Sequence, residues 1–375
     1  MNIGIVSPSF GQGGANMVAS IVGKELSKTN TVYFLPFLED DNFLSLDPKK
    51  MIPINANRSI FEKMWIKSRK TIEFLFNDKS FTPSKYTKKE LKSLISIIKE
   101  KEIDILILNS YISVAFFSTS IKKIFPNIKI ISWMHEDTDY CFNYITKNYH
   151  LAFIAAIKSS DSIVCLSQKA YEVYKQINPN SFIIYNPMVL NSDRKANLKE
   201  NVISFTSRLD IKIKGLDFLV DVAKGISDGW TIRVAGQGTP EEEEEFFRLI
   251  NKNGVSTKIE YVGPLSGDEL KAHYLSSSIF LSTSRTEALP LVIIEALSYG
   301  LPVVSFDHSG AIELLNQGEN GILVSDFDTD EMADKVNSLI ENFDLRESYQ
   351  KKALKKAKSF EMSNILEKWN IVLNS

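Results

Sequence analysis

Two carboxylates and two cations carry the chemistry that residue types and spacing suggest. The stretch Thr286 to Gly300 reads TEALPLVIIEALSYG, with Glu287 and Glu295 eight positions apart around Pro290. The run before it, Ser278 to Thr283 (SIFLST), reads as a buried strand, and Pro290 suits the first turn of a following helix. Glu287 then falls in a strand-to-helix loop at the carboxyl edge of a parallel sheet, where open α/β sheets bind ligands. Glu295 falls inside the helix, about one and a half turns on at roughly 3.6 residues per turn. The pair can grip two parts of one ligand while backbone N–H groups of the 289–291 stretch face an anion. The plainer reading makes Glu295 a surface acid of the helix and Glu287 a charge near its N-terminus.

Ser207-Arg208-Leu209-Asp210 with Lys214-Gly215 follows another strand-like run, VISFTS. Arg208 and Lys214, six apart at a strand end and a helix start, can clamp a diphosphate or simply line a basic surface loop. Near the N-terminus, Gly11-Gln12-Gly13-Gly14-Ala15-Asn16 follows the first apolar run. Its glycines let backbone N–H groups approach a phosphate, although Asn16 replaces the third glycine of a dinucleotide fingerprint and a tight turn explains the run equally. His135 closes IISWMH, where it can hydrogen-bond a substrate or move a proton. Asp137-Thr138-Asp139 after it invites a divalent-metal reading as well as a polar-loop one. Asp328 before EMADKVNSLI reads as a helix N-cap.

No nucleophile stands at a recognisable spacing from a base, two distant cysteines and four scattered histidines make no zinc site, and no Walker loop is present. Such chemistry works by positioning and electrostatics. Positioning demands a frame, and the sequence supplies one. Ile3–Ser7, Val32–Phe37, Ile103–Leu108, Lys129–Trp133 and Ser162–Leu166 are strand-like, alternating with helical patterns such as Asn16–Thr29 and Lys88–Lys101. The alternation predicts parallel βαβ units. It breaks at the polar stretch 191–201 (NSDRKANLKEN), then restarts through VISFTS, TIRVAG, IEYVG, SIFLST, LPVVSF and GILV.

A chain of 375 residues suggests two domains. The expected division is an N-terminal domain at 1–190 joined by the last helix at 360–375, a linker at 191–201, and a second domain at 202–359. The composition, 44% hydrophobic and 24% charged, is that of a globular protein, and the net charge of −2 argues against a dedicated nucleic-acid binder. The MNIGIVSPSF start has no signal-peptide pattern and no window is apolar enough to span a bilayer, so a cytoplasmic location is expected. The segment 58–101 departs from the average, with twelve Lys or Arg against five Asp or Glu, interleaved with Phe61, Met64, Trp65, Phe74, Phe76 and Phe81. It reads either as a peripheral contact with anionic lipid at the inner membrane face or as helices whose aromatics face the core.

GQGGAN, SRLDIKIKGLD, YVGPL and EALPLVIIEALSYGLPVVSFD, in that order, are similar to the retaining glycosyltransferases of family four, and the resemblance covers nearly the whole chain. It implies the GT-B fold: α/β, with two Rossmann-like, doubly wound domains facing across a cleft. It implies a nucleotide-sugar donor held mainly by the second domain and an acceptor held mainly by the first. On this resemblance Arg208 and Lys214 are the diphosphate clamp, Glu295 binds the ribose hydroxyls and Glu287 stands near the donor sugar. Ala288, Leu289, Pro290 and Leu291 hold sugar and phosphate, Leu265 lies against the base, Gly13 and Gly14 approach the β-phosphate, and His135 touches the donor sugar. Asn186-Pro187 is the turn into the linker, and the final helix packs on the first domain. Ala288 replaces the family's glycine and Asn16 a common acidic residue, and the extra methyl of Ala288 bears on donor choice.

The resulting expectation is retaining transfer of a hexose or N-acetylhexosamine from a nucleotide diphosphate sugar, UDP-linked first. The acceptor is a hydroxyl of a lipid-linked sugar, a glycolipid or a cell-surface polysaccharide, with no metal and no cofactor beyond the donor. A nucleotide-sugar epimerase or hydrolase, or a silent accessory subunit that binds a partner enzyme, are the competing readings.

Overall fold

The computed structural model describes residues 1–11, 13–39, 41–42, 44–54, 58–190 and 194–375. The chain forms two compact units, Met1–Pro187 with Ile365–Ser375, and Met188–Asn364.

The first unit is built on six parallel strands, β1 (Asn2–Ser7), β2 (Thr31–Pro36), β3 (Ile105–Asn109), β4 (Lys129–Trp133), β5 (Ser162–Cys165) and β6 (Ser181–Ile183), in the order β2-β1-β3-β4-β5-β6. These strands read as near-continuous apolar runs because helices cover both faces of the sheet. In β1 and β3, Ile3, Ile5, Leu106 and Leu108 are buried. Chain order reverses between β1 and β3, which makes that edge the switch point where a ligand crevice forms. Trp369 of the last helix, Met362–Asn374, packs against Trp133 at 4.6 Å between ring centroids.

The second unit repeats the design with β7 (Val202–Thr206), β8 (Thr231–Ala235), β9 (Ile259–Gly263), β10 (Ile279–Ser282), β11 (Val303–Phe306) and β12 (Ile322–Val324). Their order is β12-β11-β10-β7-β8-β9, all parallel, and the switch point lies between β7 and β10. Of the stretch 191–201, residues 191–193 lie outside the described residues. The remainder is bound into this unit: Ala196 N–H donates to Tyr299 O at 2.9 Å and Arg346 Nε to Leu198 O at 3.2 Å. Ala196 and Leu198 are both buried, so the segment carries apolar anchors within a polar sequence.

The segment 58–101 resolves into helices Ile60–Phe76 and Lys88–Glu100. Neither reading of its aromatics holds for all of them. Phe81 is buried, whereas Phe61, Met64, Trp65 and Phe76 stand in solvent. No helix among the described residues is long and apolar enough to cross a membrane.

Candidate active site

Arg208, Lys214 and Glu287 all lie just past the carboxyl ends of β7 and β10, the two strands that flank the second unit's switch point. Beyond β7 a single helical turn, Ile211–Lys214, is capped by Asp210, whose Oδ1 accepts from Ile213 N–H at 2.9 Å. Gly215 ends it at φ 65, and a Cβ there would lie 2.0 Å from the carbonyl oxygen of Thr283. Only glycine permits that approach. Thr283 Oγ1 in turn donates to the carbonyls of Lys214 and Gly215 at 3.0 and 2.9 Å, and Arg285 N–H donates to Ile213 O at 2.8 Å. The two loops are thereby zipped together.

This brings the Lys214 ammonium into an ion pair with Glu287 Oε1, both side chains mostly shielded from solvent. Glu287 is held from behind as well. Its carbonyl accepts from Gly310 N–H at 3.0 Å and Ser309 Oγ at 3.1 Å, and a Cβ at Gly310 would press on that carbonyl at 2.8 Å. Arg208 is exposed and has no ion-pair partner among the described residues. Its guanidinium is thus available to an anion at the same sheet edge.

Glu295 departs from the plainer expectation of a surface acid. It is buried within helix Leu291–Ser298, and Tyr274 Oη donates to its Oε2 at 2.8 Å. Burial pushes the Glu295 carboxyl up to about 7, with the Tyr274 bond working in the opposite direction. Tyr274 in turn stacks on Tyr299 at 5.4 Å between ring centroids. A buried acid with one hydroxyl donor suits a ligand bringing further hydroxyls.

Pro290 needs correcting. It is the N-cap at ψ 118 and the helix starts at Leu291, one residue later than expected. Proline also has no N–H, so the open donors of the first turn belong to Leu291 and Val292. Leu289 and Pro290 are buried and Ala288 is half-buried. Leu265, half-buried, stands past β9, two strands from β7, and is not gathered with the Lys214–Glu287 pair.

In the first unit, Gly13 caps helix Gly14–Leu26 at φ 124. Asn16 links this turn to the sheet: its Nδ2 donates to Ser9 Oγ at 3.0 Å, and its Oδ1 accepts from Ser7 Oγ at 3.2 Å. Asn109 at the end of β3 donates to Ser7 Oγ at 3.0 Å, which closes the switch point of this unit. His135 lies two residues past β4, its ring 4.7 Å from that of Trp133. Burial lowers the imidazole to about 3, which leaves it an uncharged hydrogen-bonding group near neutral pH. Its buried Nε2 has no partner among the described residues. Asp137 caps the turn that follows, accepting from Tyr140 N–H at 3.0 Å, and Asp139 pairs with Lys169 at 2.5 Å. Asp328 caps its helix through bonds from Asp330 and Glu331 N–H.

Sequence reasoning missed Tyr274, Tyr299, Arg285, Asp217 and Gly310. Arg285 alone had a visible cue, a cation two residues before Glu287.

The family model "Glycosyl transferases group 1" matches residues 190–356. An uncharacterized glycosyltransferase of Haemophilus influenzae is 30% identical over 75% of this chain and 79% of its own. A Campylobacter jejuni enzyme is 22% identical over 98% of this chain and 97% of its own. It is named as an α-1,4-N-acetyl-D-galactosaminyltransferase acting on a diphosphate-undecaprenol-linked glycan. Among solved structures, Anabaena Alr3699/HepE in complex with UDP and glucose superposes with a TM-score of 0.76 at 18% identity, covering 100% of this chain and 99% of that one. The two doubly wound sheets and these neighbours give the fold as GT-B. The chain belongs to the group 1 glycosyltransferases.

Proposed function

We propose that the protein transfers a hexose or N-acetylhexosamine from a UDP-sugar to a hydroxyl of a lipid-linked sugar, a glycolipid or a cell-surface polysaccharide, with retention at the anomeric carbon. The observation that carries this reading is the Lys214–Glu287 pair beside an uncommitted Arg208 at the β7/β10 switch point. An ammonium has three donors, and Glu287 occupies one, so Lys214 can hold a donor phosphate while keeping Glu287 near the sugar. Arg208 clamps the diphosphate with its fork and takes up the negative charge that grows as UDP leaves. Glu295 accepts from the ribose hydroxyls beside Tyr274. Ala288, Leu289 and Leu291 with Val292 supply the backbone around sugar and phosphate, Leu265 serves the base, Gly13 and Gly14 the β-phosphate, and neutral His135 a hydroxyl of the donor sugar.

The acceptor oxygen attacks on the face that the phosphate leaves, and the departing phosphate oxygen takes the acceptor proton. No protein nucleophile is then needed, and the cations of Arg208 and Lys214 do the electrostatic part a metal would otherwise do. The acceptor class is supported by the name of the Campylobacter relative, and a UDP donor by the UDP held in the Anabaena neighbour. Peripheral contact with an anionic membrane through 58–101 fits a lipid-linked acceptor.

A thermal-shift panel of nucleotide sugars tests the donor, since a ligand at about a hundred times its dissociation constant adds roughly 2.7 kcal/mol. The variant Arg208→Ala is expected to lower kcat by about 10²–10³, the scale of losing one preorganised donor. No shift with any uridine or guanosine sugar, or full transfer by that variant, overturns the reading.

A further inference from the structure

Helix Ile60–Phe76 is turned inside out. None of its residues is buried, yet Phe61 is 83% and Phe76 87% exposed. At about 100° per residue, Ile60, Phe61, Met64, Trp65, Ile72 and Leu75 fall within one arc of roughly 140°. An apolar arc of that width ordinarily faces a core. Here the side turned to the protein carries the helix's two acids, both neutralised. Glu62 takes Lys89 at 2.7 Å and the Ser59 N–H at 3.0 Å, while Glu73 takes Lys85 at 2.7 Å and the Tyr86 hydroxyl. Lys63 and Lys67 run along one edge of the apolar arc, whereas Lys70 turns inward over the Phe81 ring at 4.0 Å. Inward acids, an outward apolar arc and flanking lysines are the arrangement of a helix that lies in a lipid interface.

Beneath this helix is a cavity of about 510 Å³. Five cations line it, Arg58, Arg69, Lys85, Lys88 and Lys89, against Glu62 and Glu73. Three of the five are compensated, Arg58 by Glu90 and the lysines at 85 and 89 as above. Arg69 and Lys88 have no acidic partner among the described residues, and the Arg69 guanidinium lies 4.7 Å over the Trp65 ring. A fork and a point charge left uncompensated in one cavity match the oxygens of a phosphoryl group. Trp65 is both a wall of this cavity and part of the exposed apolar arc, so the cationic space and the lipid-compatible surface share a border.

We propose that this cavity takes the phosphoryl headgroup of an anionic membrane lipid, with helix Ile60–Phe76 embedded beside it. The proposal rests on the reading that the chain works at a membrane, and it names the site and the residues responsible.

The test uses the full chain and vesicles of phosphatidylcholine, alone or with phosphatidylglycerol. Sedimentation is expected with the anionic vesicles only. The other three tryptophans, Trp133, Trp230 and Trp369, are buried, so a blue shift of tryptophan emission on binding reports the entry of Trp65 into lipid. Removing one lysine or arginine charge costs about fivefold in partitioning onto anionic lipid. The double variant R69Q/K88Q is expected to lose more than K63Q/K67Q, which removes the same charge from the helix edge. Equal losses would mean diffuse attraction and no site. Equal binding to neutral vesicles, or emission that does not shift, also overturns the proposal. So does a dimer in gel filtration that Phe61→Gln separates, since a second copy would then cover the arc. Binding of inorganic pyrophosphate without any vesicle binding would assign the cavity to a free phosphate instead. UDP-sugar stabilisation, read on the same variants, is expected to be unchanged, and its loss would bear on the transfer reading and not on this one.

Discussion

Arg285 forks onto Asp217, its Nη1 and Nη2 donating to the two carboxylate oxygens at 2.9 and 2.5 Å. Asp217 follows Lys214 by three residues and Arg285 precedes Glu287 by two, so this pair fastens together the two loops that make the candidate site. The guanidinium also lies 3.8 Å over the Phe218 ring and donates to Ile211 O at 3.1 Å. Burial alone would raise the Asp217 carboxyl, but the bond and charge of Arg285, joined by the backbone N–H groups of Phe218 and Asp217, together outweigh it and hold the carboxyl below its usual value.

Arg285 is a positioning residue, and its removal should show as misplacement. The variant Arg285→Ala is expected to lower kcat by about a hundredfold, the scale of a displacement near 1 Å, with a smaller change in the donor KM. Arg285→Lys keeps the charge and loses the fork, so it should recover only part of the rate. Steady-state kinetics on the two variants, with melting curves to confirm folding, decide the matter. An unchanged kcat in Arg285→Ala would show that Lys214 and Glu287 are placed without it.

Glu295 predicts a pH dependence of stability with a definite sign. Its folded value of about 7 lies above the ordinary carboxyl value, so between roughly pH 4.5 and 7 the folded state binds the proton more tightly than the unfolded state. Its contribution is therefore most favourable below that window and is lost as pH rises through it, by about 3 kcal/mol at the outside. Denaturant melts of wild type and Glu295→Gln across the window should diverge accordingly, the variant gaining relative stability toward pH 7. Ribose hydroxyls favour the carboxylate, so donor binding should release a proton, visible as a buffer-dependent binding enthalpy. Parallel melts would place the Glu295 carboxyl in an ordinary environment.

His135 carries the opposite shift. With the folded value at about 3, its proton is lost well before neutrality, and its favourable contribution to stability is full above the unfolded value and lost as pH falls. Its imidazole resonance is expected to stay fixed from about pH 5 to 8, the range in which a free histidine titrates. Substitution by Asn should slow transfer without moving the midpoints of the pH–rate profile. A midpoint near 6.5 that vanished in the variant would restore His135 as a proton carrier.

Much of the frame was legible in the sequence because parallel strands covered on both faces must be apolar throughout, as in ILILN of β3 and SIFLS ahead of Glu287. Strand ends then located Arg208, Lys214 and Glu287, since a loop at the carboxyl edge needs no long-range information. The Tyr274–Glu295 bond was not legible. It joins two helices across 21 residues, and a tyrosine in GDELKAHYL looks like any core aromatic. Arg285 with Asp217 spans 68 residues, and nothing in either neighbourhood names the other. The outward face of helix Ile60–Phe76 was ambiguous for a different reason. Periodicity reveals that a helix has an apolar side but not which way that side points.

Gly215 separates backbone conformation from close approach. Gly215 and Gly229 both sit at positive φ, 65 and 80, but a Cβ at Gly229 meets nothing within 4 Å whereas one at Gly215 would lie 2.0 Å from Thr283 O. Gly229→Ala should therefore cost only the left-handed penalty, about 1–2 kcal/mol. Gly215→Ala carries the same penalty and must also push the β10 loop away, breaking the Thr283 bonds to the carbonyls of Lys214 and Gly215. Losing this single hydroxyl donor, shared between the two carbonyls, adds about 1 kcal/mol, so the total should be larger than at Gly229. Urea midpoints measure the stability difference, and kinetics measure the second consequence: because the displaced loop carries Glu287, Gly215→Ala should lose activity even where it remains folded. Equal midpoints and full activity in both variants would mean that the two loops are not fastened at Gly215.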